Sequence, residues 1–79
     1  MKYVLVIVEI DCSDGDRIVI GVASDRASAL SMIREYYGAD ALQTDFKDYR
    51  EGGIDFTLTI EVDFNRYIVT ARDFDIDRL

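Results

Sequence analysis

The chain has 79 residues, sixteen of them acidic, nine basic and none histidine, which gives a net charge of −7. An apolar fraction of 49% is typical of one globular domain and excludes disorder in spite of the charge. The acidity excludes direct binding to nucleic acid or to an anionic membrane surface, because phosphate groups would be repelled. No run approaches the roughly 20 apolar residues that a membrane-spanning helix needs.

The first segment, Lys2–Asp11, is rich in β-branched residues and is apolar on both faces of an extended strand. The faces carry Val4, Val6, Val8 and Ile10 on one side, and Tyr3, Leu5 and Ile7 on the other. This pattern predicts a central strand. An Asp-Gly turn signal at residues 12–16 follows, and Arg17–Ala23 alternates again. Residues 2–23 are therefore predicted to form a β-hairpin.

A helix is predicted over residues 24–38. Ser24 is a favourable N-cap residue, Asp25 suits the positive end of a helix dipole, and Gly38 suits a left-handed C-terminal residue. The apolar residues between them have helical spacing, at Ala29, Leu30, Ile33 and Tyr37.

Residues 39–53 allow two interpretations. Leu42, Phe46 and Tyr49 are spaced by four and three, which permits a short helix. The polar remainder and the pair Gly52 and Gly53 favour an ordered loop that is anchored by its aromatic residues. The sequence leaves both open.

A second hairpin is predicted over residues 54–77. Residues 54–62 alternate strictly, residues 63–66 form a turn, and residues 67–76 form the last strand. The predicted fold is α+β and two-layered, in the order β-β-α-β-β, with one helix on one face of a four-stranded antiparallel sheet. Its predicted core is Val4, Val6, Val8, Ile18, Ile20, Leu30, Ile33, Tyr37, Phe56, Leu58, Ile60 and Ile68.

No catalytic residue, cofactor site or metal site is predicted. The chain has no histidine to act as the usual general base, and Cys12 lies among acidic residues. Residues 11–16 lack the alternating oxygen ligands and the distal glutamate of a calcium loop, and no phosphate-binding glycine loop precedes the helix. The lone cysteine indicates a cytoplasmic location, in the host cytoplasm if the chain is encoded by a phage.

The carboxylates suggest a partner. On a strand, alternate residues share a face at a spacing of roughly 6.8 Å, which resembles the spacing of phosphates along a nucleic acid. An acidic face of this kind would occupy the basic groove of a nucleic-acid-binding protein and inhibit it. The residues predicted to form it are Asp55, Glu61, Asp63, Asp73, Asp75 and Asp77, extended by Asp14 and Asp16.

The alternative is a structural or regulatory interaction domain whose charge serves solubility. Both faces of the last predicted strand are partly apolar, with Tyr67 and Val69 on one side and Ile68 and Phe74 on the other. One helix covers only one face of a sheet. A homodimer through a face or an edge of the sheet is therefore the second hypothesis.

The segment Gly21-Val22-Ala23-Ser24-Asp25-Arg26-Ala27-Ser28-Ala29 resembles small intracellular domains in which a Gly-Val-x-Ser strand end leads into an alanine-rich helix. In size, charge and layout the chain is similar to small acidic proteins of phages and mobile elements, including anti-CRISPR inhibitors. The second resemblance implies a protein that blocks the nucleic-acid channel of an effector with acidic clusters.

Overall fold

A computed structural model describes residues 3–76, which form one antiparallel sheet and one helix. The elements are β1 (Tyr3–Asp11), β2 (Arg17–Ala23), α1 (Arg26–Tyr37), β3 (Leu42–Glu51), β4 (Ile54–Val62) and β5 (Asn65–Asp75). The strand order in the sheet is β2-β1-β5-β4-β3. The predicted four-stranded β-β-α-β-β fold is therefore wrong, because the described chain has five strands in the order β-β-α-β-β-β.

The additional strand, β3, replaces the predicted loop or short helix. Its register with β4 shifts between Thr44 and Lys47, and the backbone of Asp45 is left-handed, with φ of 52°. An extra residue in one strand changes the spacing of side chains on one face from two to three. The register shifts again between Asp48 and Glu51. These irregularities explain why β3 has an apolar spacing that is typical of a helix.

Helix α1 begins at Arg26, because the carboxylate of Asp25 accepts a hydrogen bond from the backbone N–H of Ser28 at 2.8 Å. This bond lowers the pKa of Asp25. Asp25, rather than the predicted Ser24, is thus the N-cap residue. At the other end Gly38 has φ of 90° and donates its N–H to the carbonyl of Arg34 at 2.9 Å, in the role predicted for it.

The core lies between α1 and one face of the sheet, which we call the helix face. Its buried residues are Leu5, Ile7, Ala23, Ala29, Ile33, Phe56, Leu58, Ile60, Val69 and Ala71. Gly21 faces Ile7 across the strands, and a Cβ atom there would collide with the sulfur of Met32. The glycine therefore lets the helix approach β2 closely.

The predicted core is wrong for β1, where Leu5 and Ile7 are buried against the helix, and for Ile18 and Ile68, which are 49% and 38% exposed. Val4, Val6 and Val8 lie on the other face of the sheet, which we call the open face. Both sets of residues in β1 are apolar, so the alternation predicts a strand but does not indicate which face the helix covers.

Arg26 joins the start of α1 to the β3–β4 hairpin. Its Nε donates to Asp55 at 2.8 Å, and its two terminal nitrogens donate to both carboxylate oxygens of Asp48, at 3.2 and 3.1 Å. The guanidinium also lies 5.8 and 5.6 Å from the ring centroids of Phe46 and Phe56. The hydrogen bonds to Asp48 and then Asp55 raise the pKa of Arg26 above its ordinary value.

The β4–β5 turn is strained. Asp63 and Phe64 have φ of 48° and 67°, in the left-handed region that glycine and asparagine prefer. The side chain of Phe64 is fully exposed, so no packing in the described chain offsets the strain.

We expect Phe64→Gly to stabilise the protein by about 1 kcal/mol relative to Phe64→Ala, because only glycine adopts this backbone conformation without cost. For a domain of this size the gain corresponds to a melting temperature about 4–8 °C higher. Thermal unfolding of the two variants measures it. Equal stabilities would show that the backbone of residue 64 is not strained.

Candidate interaction surface

Three of the predicted acidic residues lie together at one end of the sheet, which we call the turn end. Asp14 and Asp16 belong to the β1–β2 turn, and Asp63 to the β4–β5 turn. The two turns are neighbours, since the backbone N–H of Cys12 donates to the carbonyl of Arg66 at 3.1 Å.

Two further predicted residues are paired with arginines of their own chain. Asp55 accepts the hydrogen bond from Arg26, and Glu61 forms an ion pair with Arg66 at 3.0 Å. The charge that each would offer to a partner is therefore partly compensated.

Asp73 and Asp75 lie near the opposite end of the sheet, on the helix face. They stand opposite Leu5 and Tyr3 of β1, and residues directly opposite each other share a face. Glu61, in contrast, lies on the open face, where it stands opposite Leu42 and Arg66. Asp77 lies outside the described residues. The described members of the predicted acidic face thus occupy both faces and both ends of the sheet.

A tyrosine and a carboxylate that sequence reasoning missed meet at the border of the core. The hydroxyl of Tyr37 donates to Glu9 at 2.6 Å, and its ring lies 5.8 Å from that of Tyr67. Burial, and then the bond to Glu9, raises the pKa of Tyr37 well above its ordinary value. Because this bond ties the end of α1 to β1, we interpret the pair as structural. The alternation of apolar and polar residues along the strands does not reveal this contact, because Tyr37 and Glu9 are far apart in the sequence.

An open cleft of about 610 Å³ lies at the turn end. Its lining includes the exposed Cys12 and Leu42 and the ion pair of Glu61 with Arg66. Of the charged groups in its wall, Glu61 and Arg66 bind each other, and the carboxylate of Asp63 lies in the same wall.

Most of the open face of β2 and β1 is apolar, and β5 adds Ile68 and Phe74, with Thr70 and Arg72 between them. The register places Val22 beside Val6, Val19 beside Val8, and Ile68 beside Ile10. The residues of this surface, the aliphatic patch, are Val4, Val6, Val8, Ile10, Val19, Val22, Ile68 and Phe74. Val19 and Val22 are 63% and 53% exposed, so the patch is accessible to a partner.

The rest of the open face is polar. Thr57 stands beside Thr70, and Thr59 stands between Thr44 and Ile68. Threonine suits an extended strand, and Thr44, Thr57 and Thr59 are partly exposed, so their hydroxyls can bind water, whereas Thr70 is buried. The boundary between aliphatic and threonine side chains follows β5, so the patch has a defined edge.

The charged side chains of the open face are mostly basic, in contrast to the whole chain. Those that the structure describes there are Arg17, Lys47, Arg66, Arg72 and Glu61. The carboxylates of this acidic protein are thus largely kept away from the aliphatic patch.

Among residues 3–76, no helix has the length and the apolar character needed to cross a bilayer. No protein-family model, no curated protein and no solved structure matches the chain.

Proposed function

We propose that the protein is a non-catalytic interaction module that binds another protein through the aliphatic patch. The observation that supports this proposal is the contiguity of eight apolar side chains on a face that no element of the described chain covers. Valine and isoleucine on a solvent-facing sheet are costly unless a partner removes them from water.

The size of the patch agrees with this role. Three strands about 4.8 Å apart and four rows of side chains about 6.8 Å apart give an area of about 390 Å², in which Thr70 and Arg72 take two positions. This area is in the range of the largest apolar patch on a typical monomer, about 300–600 Å², which is often a binding site.

The phosphate-mimic hypothesis has less geometric support. A mimic needs regularly spaced carboxylates along one groove-sized surface. Asp14, Asp16 and Asp63 meet at the turn end, whereas Asp73 and Asp75 lie at the far end and Asp55 is bound to Arg26. We therefore favour the interaction module over an inhibitor of the anti-CRISPR type.

The proposal is tested with a fluorescent dye that binds apolar protein surfaces, bis-ANS, at submicromolar protein concentration. We expect the wild type to bind the dye and the double variant Val19→Lys/Val22→Lys to lose most of the signal, since two charges then stand in the patch. Circular dichroism verifies that both proteins are folded.

The matched control is Ser31→Lys/Ala39→Lys, which adds the same charge at two exposed positions outside the sheet. It should bind the dye like the wild type. Equal signals from the two double variants would contradict the aliphatic patch as the binding surface.

A further inference from the structure

We propose that the partner of the aliphatic patch is a second copy of this chain, packed patch against patch into a sandwich with the two helices outside. This inference rests on the proposed function and names the occupant of its surface. A two-fold axis would bring the same residues together from both copies, as in most homodimers.

The shape of the surface favours a second sheet over a peptide. Sheets that stack face to face lie about 10 Å apart and interdigitate the side chains of their inner faces. β-Branched side chains in even rows are suited to this packing. The patch pairs Val6 with Val22 and Val8 with Val19 in neighbouring rows, so it offers β-branched side chains on two adjacent strands to a second sheet.

The composition also favours self-association. The energetically dominant residues of protein–protein interfaces are enriched in tryptophan, tyrosine and arginine, and homodimer interfaces as a whole are more apolar than those between different proteins. In the patch Phe74 is the one aromatic residue among seven aliphatic ones.

The area sets the expected strength. Two flat surfaces of about 390 Å² each, enlarged by side-chain relief, would bury about 1,000 Å² in total, near the lower limit for specific interfaces. A dimer of this size should dissociate in the micromolar range, as weak and reversible complexes do.

The charges permit the contact. Of the carboxylates that the structure describes, Glu61 lies on the open face, and it already binds Arg66. Arg17 and Lys47 lie at the margin of the face, on the edge strands β2 and β3. Arg72 stands opposite Val6 within the outline of the patch and is exposed, so its apolar stem can pack in the contact while its guanidinium stays in water. Stacked patches would therefore not oppose carboxylate to carboxylate, and the net charge of −7 acts only at long range.

Sedimentation velocity from about 1 to 300 μM protein tests the proposal. We expect the wild type to change from the mass of one chain to that of two. Val19→Lys/Val22→Lys should weaken association at least 100-fold, while Ser31→Lys/Ala39→Lys should behave like the wild type. If the lysine variant does not fold, Val19→Thr/Val22→Thr keeps the β-branched shape and should weaken association about 10-fold.

A wild type that remains monomeric at 300 μM would overturn the proposal, as would an assembly that both double variants form equally well. A monomer that still binds bis-ANS at the patch would remove the second copy as partner and leave the interaction module standing. A wild type whose dye signal does not depend on the patch would instead overturn the proposed function itself.

Discussion

Phe56→Ala should lower the free energy of unfolding by about 4 kcal/mol, most of the stability of a domain of this size. The ring of Phe56 is completely buried on the helix face and stacks on Phe46 at a centroid distance of 5.4 Å. Its removal leaves a cavity under the guanidinium of Arg26 and detaches β3 from the core. Urea denaturation measures the loss.

The matched control is the next residue of the same strand. Thr57 points to the open face, beside Thr70 and Lys47, so Thr57→Ala should cost less than about 1 kcal/mol. Similar losses for the two variants would contradict the assignment of the helix face and the open face.

Arg26→Ala should destabilise the protein by about 2 kcal/mol, although the arginine is partly exposed. Hydrogen bonds to charged groups contribute about 1.5–3 kcal/mol, whereas exposed ion pairs contribute about 0–1 kcal/mol. The more buried bond to Asp55 should dominate, because its carboxylate would lose its partner. Thermal unfolding measures the change.

Two controls separate geometry from charge. Arg26→Lys keeps the charge but cannot bind both oxygens of Asp48, so it should recover about half of the loss. Arg34→Ala removes the same charge from the exposed surface near the end of the helix and should cost less than about 1 kcal/mol. A loss of equal size from Arg34→Ala would assign the effect to net charge rather than to the contacts of Arg26.

Regular alternation made β1, β2 and β4 predictable, and helical spacing with a glycine at the end did the same for α1. The extra strand was missed because residue 45 takes a left-handed conformation and breaks the alternation around Phe46. A bulge costs little in tertiary context, but it removes the period that identifies a strand. The N-cap was predicted one residue too early, because Ser24 and Asp25 are both residue types that favour the N-cap position.

The candidate site was only partly predictable. An uncovered and partly apolar face follows from one helix on one sheet, and that expectation motivated the homodimer hypothesis. Which residues occupy the face depends on register. The position of Asp73 opposite Leu5 places that carboxylate on the helix face, and the reach of Arg26 to Asp55 joins residues 29 positions apart. The spacing of residues along one strand predicts neither the face of Asp73 nor the contact between Arg26 and Asp55.

The salt dependence of self-association tests the central claim, that the aliphatic patch and not the acidic residues is the binding surface. Sedimentation equilibrium of the wild type at 20 and 500 mM NaCl gives the dimer dissociation constant. Salt screens the repulsion between two chains of charge −7, so we predict dimerisation about 10-fold tighter at the higher salt concentration. A dissociation constant that rises with salt would show that opposite charges hold the copies together, and it would contradict this account.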